Sequence, residues 1–206
     1  MTFAQILNYF VALFVICNPV SGFSVLLSLT HERTPEEKHK IALNTGVAVI
    51  IILVVVTFTG PYLLSILGIR LGAFQIAGGF VIFLLALSML NAEQSRMKQT
   101  REDQKDAIQK ESIAVVPLAI PVIAGPGAIS TVIVAVNSYP GPMNLMYLTI
   151  CAVLVGTLIA GILYFAHQMG KMLGQSGINL VNRIGGLILA AMAVDIIAKG
   201  IKGIFG

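Results

Sequence analysis

Two prolines inside apolar stretches mark the parts of this sequence best suited to bind a ligand. Pro19 lies in the stretch CNPVSG, and Pro126 lies in the stretch AGPG. Proline removes a backbone hydrogen bond inside a helix and is favoured as the first residue of a new helix, after an Asn or Gly cap. Asn18 and Gly125 hold those cap positions. We therefore predict that each proline begins a second half-helix, over residues 19–30 and 126–137.

Such helix breaks are suited to the binding of a small zwitterion. A helix N-terminus offers unpaired N–H groups and about half a positive charge to a carboxylate, and unwound carbonyls near 14–17 and 123–125 can accept from an ammonium group. Charged residues are absent from the flanking sequence, which favours a net-neutral substrate. The predicted substrate-binding residues are Asn18, Pro19, Val20, Ser21, Gly22, Ser24, Gly125, Pro126, Gly127, Ala128, Ser130 and Thr131. For each single hydroxyl, a bond back to its own helix is the alternative.

Three further polar side chains in apolar segments have two interpretations each. Gln75 and Asn182 either line the site or form hydrogen bonds across helices. Asp195 is either a proton-coupling carboxylate or the partner of Lys199 in an i, i+4 ion pair. The histidines His31, His39 and His167 are scattered at segment ends, so we predict no metal site and no cofactor.

Composition places these residues in a lipid bilayer. The chain of 206 residues is 57% hydrophobic and 11% charged, whereas soluble domains average roughly 25% charged. Since a crossing needs about 20 apolar residues, we predict six crossings, near 3–30, 41–63, 71–91, 113–137, 144–166 and 179–201. The spans contain neither a nucleophile–base pair nor a metal cluster, so we predict no enzyme. Basic residues interleaved with acids in short loops argue against a nucleic-acid partner.

Basic residues distinguish the two faces of the membrane. The loops after crossings one, three and five hold ten of the 13 Lys and Arg residues. The excess of positive charge on cytoplasmic loops therefore predicts that both termini lie outside. The longest polar connection, residues 92–112, is predicted to be a cytoplasmic linker with a regulatory contact as the alternative.

An internal repeat relates the two halves of the chain. Pro126 follows Pro19 by 107 positions (126 − 19 = 107), and the pair Gly185-Gly186 follows Gly78-Gly79 by the same shift. The segments ILG at 66–68 and MLG at 172–174 match with a one-residue difference. Three crossings in each half would invert the second half, as in many transporters. We predict one all-α transmembrane domain, 1–206, of two inverted three-helix repeats, 1–91 and 113–206, with broken helices in crossings one and four.

These motifs resemble a known family. NPVSGFSVLLSLT at 18–30, PLAIPVIAGPGAIS at 117–130 and the paired segments IAGG and RIGG are similar to the MarC family of prokaryotic inner-membrane proteins. The resemblance covers nearly the whole chain and implies six crossings, an inner-membrane location and transport of small neutral amino acids such as glycine and alanine. Many members have Asp where this chain has Asn18, so a proton-carrying role does not carry over to that position.

From the residues and the resemblance together, we expect a secondary transporter that works by alternating access, with Asp195 as the candidate for proton coupling. The alternative is a passive channel or an exporter of other small solutes on the same scaffold. The expected partners are a small zwitterionic substrate and the lipid bilayer, and a homo-oligomer remains an open alternative.

Overall fold

The chain folds into helices throughout the part that the structure describes. A computed structural model describes residues 1–30, 33–91 and 114–205. In chain order the helices are α1 Phe3–Cys17, α2 Pro19–Leu29, α3 Pro35–Ile66, α4 Leu71–Leu90, a π-helix Ala114–Ile123, α5 Pro126–Ser138, α6 Pro142–Tyr164 and α7 Ala166–Phe205. The predicted linker at 92–112 and His31 lie outside the described residues.

Five helical segments are long and apolar enough to cross a bilayer. They are Phe3–Leu27, Pro35–Gly60, Leu71–Leu90, Pro142–Tyr164 and Asn179–Phe205. The all-α membrane class is therefore confirmed, and the protein is a multi-pass integral membrane protein. The remaining predicted crossing, at 113–137, consists of two shorter pieces, the π-helix and α5.

One predicted boundary was wrong, at the N-terminal end of the second crossing. Helix α3 begins at Pro35 and not at 41, because Thr34 and Glu37 form a capping box: the Thr34 hydroxyl accepts from the Glu37 N–H at 3.3 Å, and the Glu37 carboxylate accepts from the Thr34 N–H at 2.8 Å. The predicted crossing at 179–201 begins at the same residue as the span Asn179–Phe205, and the helix that carries it, α7, begins earlier, at Ala166, with a kink at Gly174, where φ is 58°. Hydropathy identifies the apolar part of a helix, but it does not detect polar turns of the same helix that precede this part.

The long helices pack in antiparallel pairs, α3 against α6 and α4 against α7. Along α4 and α7 the contacts run in opposite directions, since Gly72 lies against Gly200 and Gly186 lies against Ala86. A methyl group on Gly79 would lie 3.0 Å from the Ala193 carbonyl oxygen, and one on Gly186 would lie 3.0 Å from the Ala86 carbonyl oxygen. The glycines therefore allow the backbones of α4 and α7 to touch.

The two helix breaks lie within the core formed by these pairs. Leu13 and Cys17 before the first break are fully buried, as is Ala124 before the second. Ala128, in the first turn of α5, is 1% exposed. The segments that carry the candidate site are thus held on every side by packed helices, which is the setting in which a broken helix survives in a membrane.

Candidate functional site at two helix breaks

The first break has the geometry that the sequence predicts. Helix α1 ends at Cys17, Asn18 adopts the left-handed conformation with φ 47° and ψ 68°, and α2 begins at Pro19. Pro19 has no N–H to give to the Val15 carbonyl, four residues before it. That carbonyl instead accepts from the Asn18 N–H at 3.0 Å. The break is therefore satisfied internally, by a residue type that tolerates positive φ better than most.

The side chain of Asn18 also caps the N-terminus of α2. Its side-chain oxygen accepts from the Ser21 N–H at 3.2 Å, and its amide nitrogen donates to the Ser21 hydroxyl at 2.6 Å and to the Met89 sulfur at 3.2 Å. The residue is 3% exposed. The N-terminus of α2 is thus already capped by an oxygen of the chain itself, so it is less open to a carboxylate than the sequence pattern suggested.

The second break differs because its cap residue has no side chain. Gly125 is extended, with φ −77° and ψ −178°, and supplies no side-chain cap to α5. Its carbonyl accepts from the Ile129 N–H at 3.1 Å, whereas the N–H groups of Gly127 and Ala128 have no acceptor among the described residues. Two amides therefore point out of the α5 N-terminus inside the buried core, which is the arrangement suited to an anion.

A π-helix leads into this second break, a feature that the sequence did not predict. Its last turn is closed by the Ala124 N–H donating to the Ala119 carbonyl at 2.8 Å, a separation of five residues. Pro121 lies within this segment and cannot donate. π-helical turns are rare and often found at functional sites, since their wider backbone leaves carbonyls without regular partners.

The two breaks contact each other through a pair of isoleucines. Ile16, the last but one residue of α1, lies against Gly127 in α5, with its Cγ2 3.4 Å from the position that a methyl group on Gly127 would take. Ile123 ends the π-helix and lies against Gly22 in α2, with its Cδ1 2.8 Å from the corresponding position. Each first half-helix thus packs on the second half-helix of the other break. Sequence reasoning missed both isoleucines, which no polar pattern marks.

The hydroxyls of the predicted set divide into two groups. Ser24 donates to the Val20 carbonyl at 3.0 Å, and Thr131 donates to the Gly127 carbonyl at 2.9 Å, so the alternative of bonding back to the helix is confirmed for both. Ser130 has no hydrogen-bond partner among the described residues and lies against Gly78 of α4. Of these three hydroxyls, Ser130 is the one left available to a ligand.

Gln75 and Asn182 are related by the shift of 107 positions (182 − 75 = 107), and Gln75 lies in the contact between α4 and α7. Gln75 is 8% exposed, and its Cβ lies 3.0 Å from where a Gly200 methyl would be. The Asn182 side-chain oxygen is buried without a hydrogen-bond partner in the described part of the chain. A hydrogen bond across helices, one of their two predicted interpretations, is therefore not formed between described residues by either side chain.

Asp195 lies on an exposed face of α7, whereas the helix breaks are buried. Its carboxylate accepts from the Lys199 ammonium at 2.6 Å, and the two side chains are 62% and 65% exposed. The i, i+4 ion pair is therefore confirmed. A role in proton coupling stays a prediction, without support from the position of the side chain.

Tyr9 is a buried polar residue that sequence reasoning missed. It is 7% exposed on α1, and its hydroxyl has no hydrogen-bond partner in the described ranges. It shares the buried face of α1 with Leu13 and Ile16, one and two helical turns further on. The spacing 9, 13, 16 is detectable in the sequence, but the tyrosine is indistinguishable there from an interfacial aromatic residue.

Comparison with known proteins places the chain in a family. The family model described as "MarC family integral membrane protein" matches residues 3–205. The chain is 36% identical over 198 residues to the UPF0056 membrane protein YhcE of Escherichia coli K12, covering 96% of this chain and 92% of that protein.

Two relatives from other organisms are similar over the same range. Identity is 37% over 198 residues to the UPF0056 membrane protein PH0760 of Pyrococcus horikoshii, covering 96% and 94% of the two chains. It is 34% over 208 residues to YvbG of Bacillus subtilis, covering 100% and 98%. No solved structure matches the chain significantly. These names describe membrane proteins and give no substrate, and on this likeness the chain belongs to the MarC family of integral membrane proteins.

Proposed function

We propose that the protein is a secondary transporter of small neutral amino acids, such as glycine and alanine, across the cytoplasmic membrane. The observation that carries this proposal is the open N-terminus of α5, where the Gly127 and Ala128 amides face a second helix break inside the core. Paired helix breaks at the centre of a membrane domain are typical of secondary transporters, whose half-helix ends bind the substrate carboxylate.

The inverted-repeat architecture is part of the proposal, and the helix boundaries support it. Helices begin at Pro19 and Pro126 and again at Pro35 and Pro142, each pair separated by 107 positions (126 − 19 = 107; 142 − 35 = 107). On this proposal the π-helix and α5 together form a sixth crossing.

Contacts between the halves support the same symmetry. Gly79 lies against the Ala193 carbonyl, and Gly186 lies against the Ala86 carbonyl at the same distance. The shift of 107 positions relates these two contacts, since 79 + 107 = 186 and 86 + 107 = 193. The shift also relates Ile16 to Ile123, the two residues that cross between the breaks (123 − 16 = 107). Antiparallel pairing of α3 with α6 and of α4 with α7 is what a twofold axis in the membrane plane would produce.

The surroundings of the breaks favour a small, net-neutral substrate. No charged side chain is buried in the part of the chain that the structure describes. Ile82 and Ile16 lie close to Gly127, at 3.2 and 3.4 Å from the position of an added methyl, so the walls beside the free amides are apolar and near. A substrate whose side chain is a hydrogen atom or a methyl group needs the least room beside these walls, and a charged side chain would be left without a counter-ion.

Positive charge on one face supports the proposed orientation, with both termini outside. Arg33, Lys38 and Lys40 lie between α2 and the apolar part of α3, at the same end of the bundle as the junction of α6 and α7. Basic residues gather on the cytoplasmic side of membrane proteins.

Counterflow in proteoliposomes tests the function. Vesicles preloaded with unlabelled alanine should transiently accumulate radiolabelled alanine above its equilibrium level, because a carrier exchanges internal for external solute one at a time. A passive channel would only let the label equilibrate. Absence of saturable uptake of glycine or alanine, with and without a pH gradient, would remove the proposal.

A further inference from the structure

A cavity outside the helix breaks opens at the basic end of the bundle. It lies where α2 ends, α3 begins and α6 passes into α7, and its volume is about 150 Å³. At about 30 Å³ per water molecule, this is room for roughly five waters, which is comparable to a solute of the heavy-atom count of glycine or alanine. Sequence reasoning did not find this cavity, because its walls come from four separate helices.

The floor of the cavity is also a wall of the candidate site. Leu163 lines the cavity, and its Cδ2 lies 3.8 Å from where a methyl group on Gly22 would be, in the first turn after the break. Ile123 touches that same position. Leu26 and Leu163 are each 2% exposed. One layer of aliphatic side chains therefore separates the cavity from the break.

The polar rim of the cavity is cationic. Lys38 lines it and has no carboxylate partner among the described residues, since the neighbouring Glu37 pairs with Arg33 at 3.1 Å. The Thr30 hydroxyl is already used, because it donates to the Leu26 carbonyl at 2.7 Å. A single ammonium group above apolar walls attracts an anion into the cleft, where the low-dielectric lining focuses the field.

One side of the rim is held in place by stacked rings. The His39 and Tyr164 rings lie 4.0 Å apart with an angle of 17° between their planes, and they join the start of α3 to the end of α6. Phe165 packs edge-on against Tyr164 at 5.2 Å. These contacts fix the backbone that carries Lys38 relative to the floor residue Leu163.

We propose that this cavity is a second binding station for the transported solute, in which the Lys38 ammonium holds the carboxylate of a small amino acid. Leu163 is the side chain that separates this station from the helix breaks. The inference rests on the proposed transport function. On this inference the solute binds at the basic face immediately before, or immediately after, it binds at the central site.

Protection of an introduced cysteine tests the station without measuring transport. The full chain carrying Leu27→Cys, a lining position, is reconstituted and labelled with a membrane-impermeant maleimide; the native Cys17 and Cys151 are buried and give the background. Alanine at about ten times its apparent Kd should slow labelling on the order of tenfold by mass action. Adding Lys38→Gln should abolish the protection, whereas adding Lys40→Gln, an exposed residue outside the lining, should preserve it.

Controls separate this inference from the transport proposal. Leu67→Cys, at the far end of α3, should label at the same rate with and without alanine. If Leu27→Cys does not fold, Gln168→Cys reports on the same cavity. Protection without any counterflow would retain the station and remove the transporter.

Two other results would overturn the inference. The first is counterflow that occurs without protection of the cysteine, or with protection that persists in the Lys38→Gln variant. Either outcome would retain the proposed transporter and remove the second binding station. The second is protection that depends on anionic lipid in the vesicles and not on alanine, which would identify the occupant as a lipid headgroup.

Discussion

Substitution of Gly127 tests the placement of the substrate carboxylate most directly. A methyl group added here would lie 3.2 Å from Ile82 and 3.4 Å from Ile16, which is tight but can be relieved by shifts of a few tenths of an ångström. Gly127→Ala should therefore retain binding. Gly127→Val adds two further methyl groups in front of the α5 amides, and overpacking of this kind costs about 1–3 kcal/mol.

A carboxylate at the amides would compete with the valine methyl groups for the same space, so we expect a steric cost of similar size in the bound state. At 1.4 kcal/mol per factor of ten, the apparent Kd for alanine should rise roughly fivefold to one hundredfold in Gly127→Val. Isothermal titration of purified protein measures the Kd, and thermal unfolding in the same detergent checks that the fold is intact.

A matched variant controls for the general effect of valine in a membrane helix. Gly161 lies in α6, and a methyl group there would meet nothing within 4 Å. Gly161→Val should therefore bind alanine as the unmodified protein does. The reasoning is refuted if Gly127→Val binds alanine with unchanged affinity, or if Gly161→Val loses as much affinity as Gly127→Val.

Four further predictions follow from single contacts. Asn18→Gly should lower the thermal stability by a few tenths of a kcal/mol, whereas Asn18→Ala should lower it by about 2 kcal/mol, because alanine loses the cap and also strains at φ 47°. Gly79→Ala should destabilise by about 1–3 kcal/mol, since its methyl would lie 3.0 Å from a carbonyl oxygen of α7, whereas Gly161→Ala should stabilise by up to about 1 kcal/mol. Tyr9→Phe should raise the unfolding temperature by removing a buried hydroxyl without a partner among the described residues. Asp195→Asn should leave the response of uptake to a pH gradient unchanged, because its ion pair is exposed.

Contrary results would be informative for each residue. Equal stability of Asn18→Gly and Asn18→Ala would mean that φ is relaxed in solution. A stable Gly79→Ala would mean that α4 and α7 separate more easily than their contact suggests. Loss of stability in Tyr9→Phe would reveal a bound water or ligand at the hydroxyl, and loss of the gradient response in Asp195→Asn would assign the coupling proton to that carboxylate.

The sequence predicted the breaks because proline acts locally. The missing N–H of Pro19 and Pro126 interrupts the helical hydrogen bonds at each position, so both half-helices begin at the predicted residues, and their ends differ from the prediction by one residue. Five of the six predicted crossings correspond to helices long and apolar enough to span a bilayer, since length and hydropathy are properties of each segment alone. The early start of α3 was predictable in principle from Thr34, Pro35 and Glu37, which form a recognisable capping box.

The difference between the two breaks could not be predicted in the same way. The sequence shows Asn before one proline and Gly before the other, but only coordinates show that the Asn18 side chain turns back onto the Ser21 amide. The contacts of Ile16 and Ile123 likewise join residues that are distant in the chain, and apolar periodicity does not specify such partners. The cationic cavity depends on how four helices converge, which no single segment encodes.

The cap supplied by Asn18 has a consequence for stoichiometry. Two duplicated halves would by symmetry present two equivalent anion sites, and a symmetric protein would take up a pair of carboxylates in the central region. Since the chain's own amide oxygen fills one of these places, we expect the central region to accept a single molecule and its titration to saturate at one equivalent per chain.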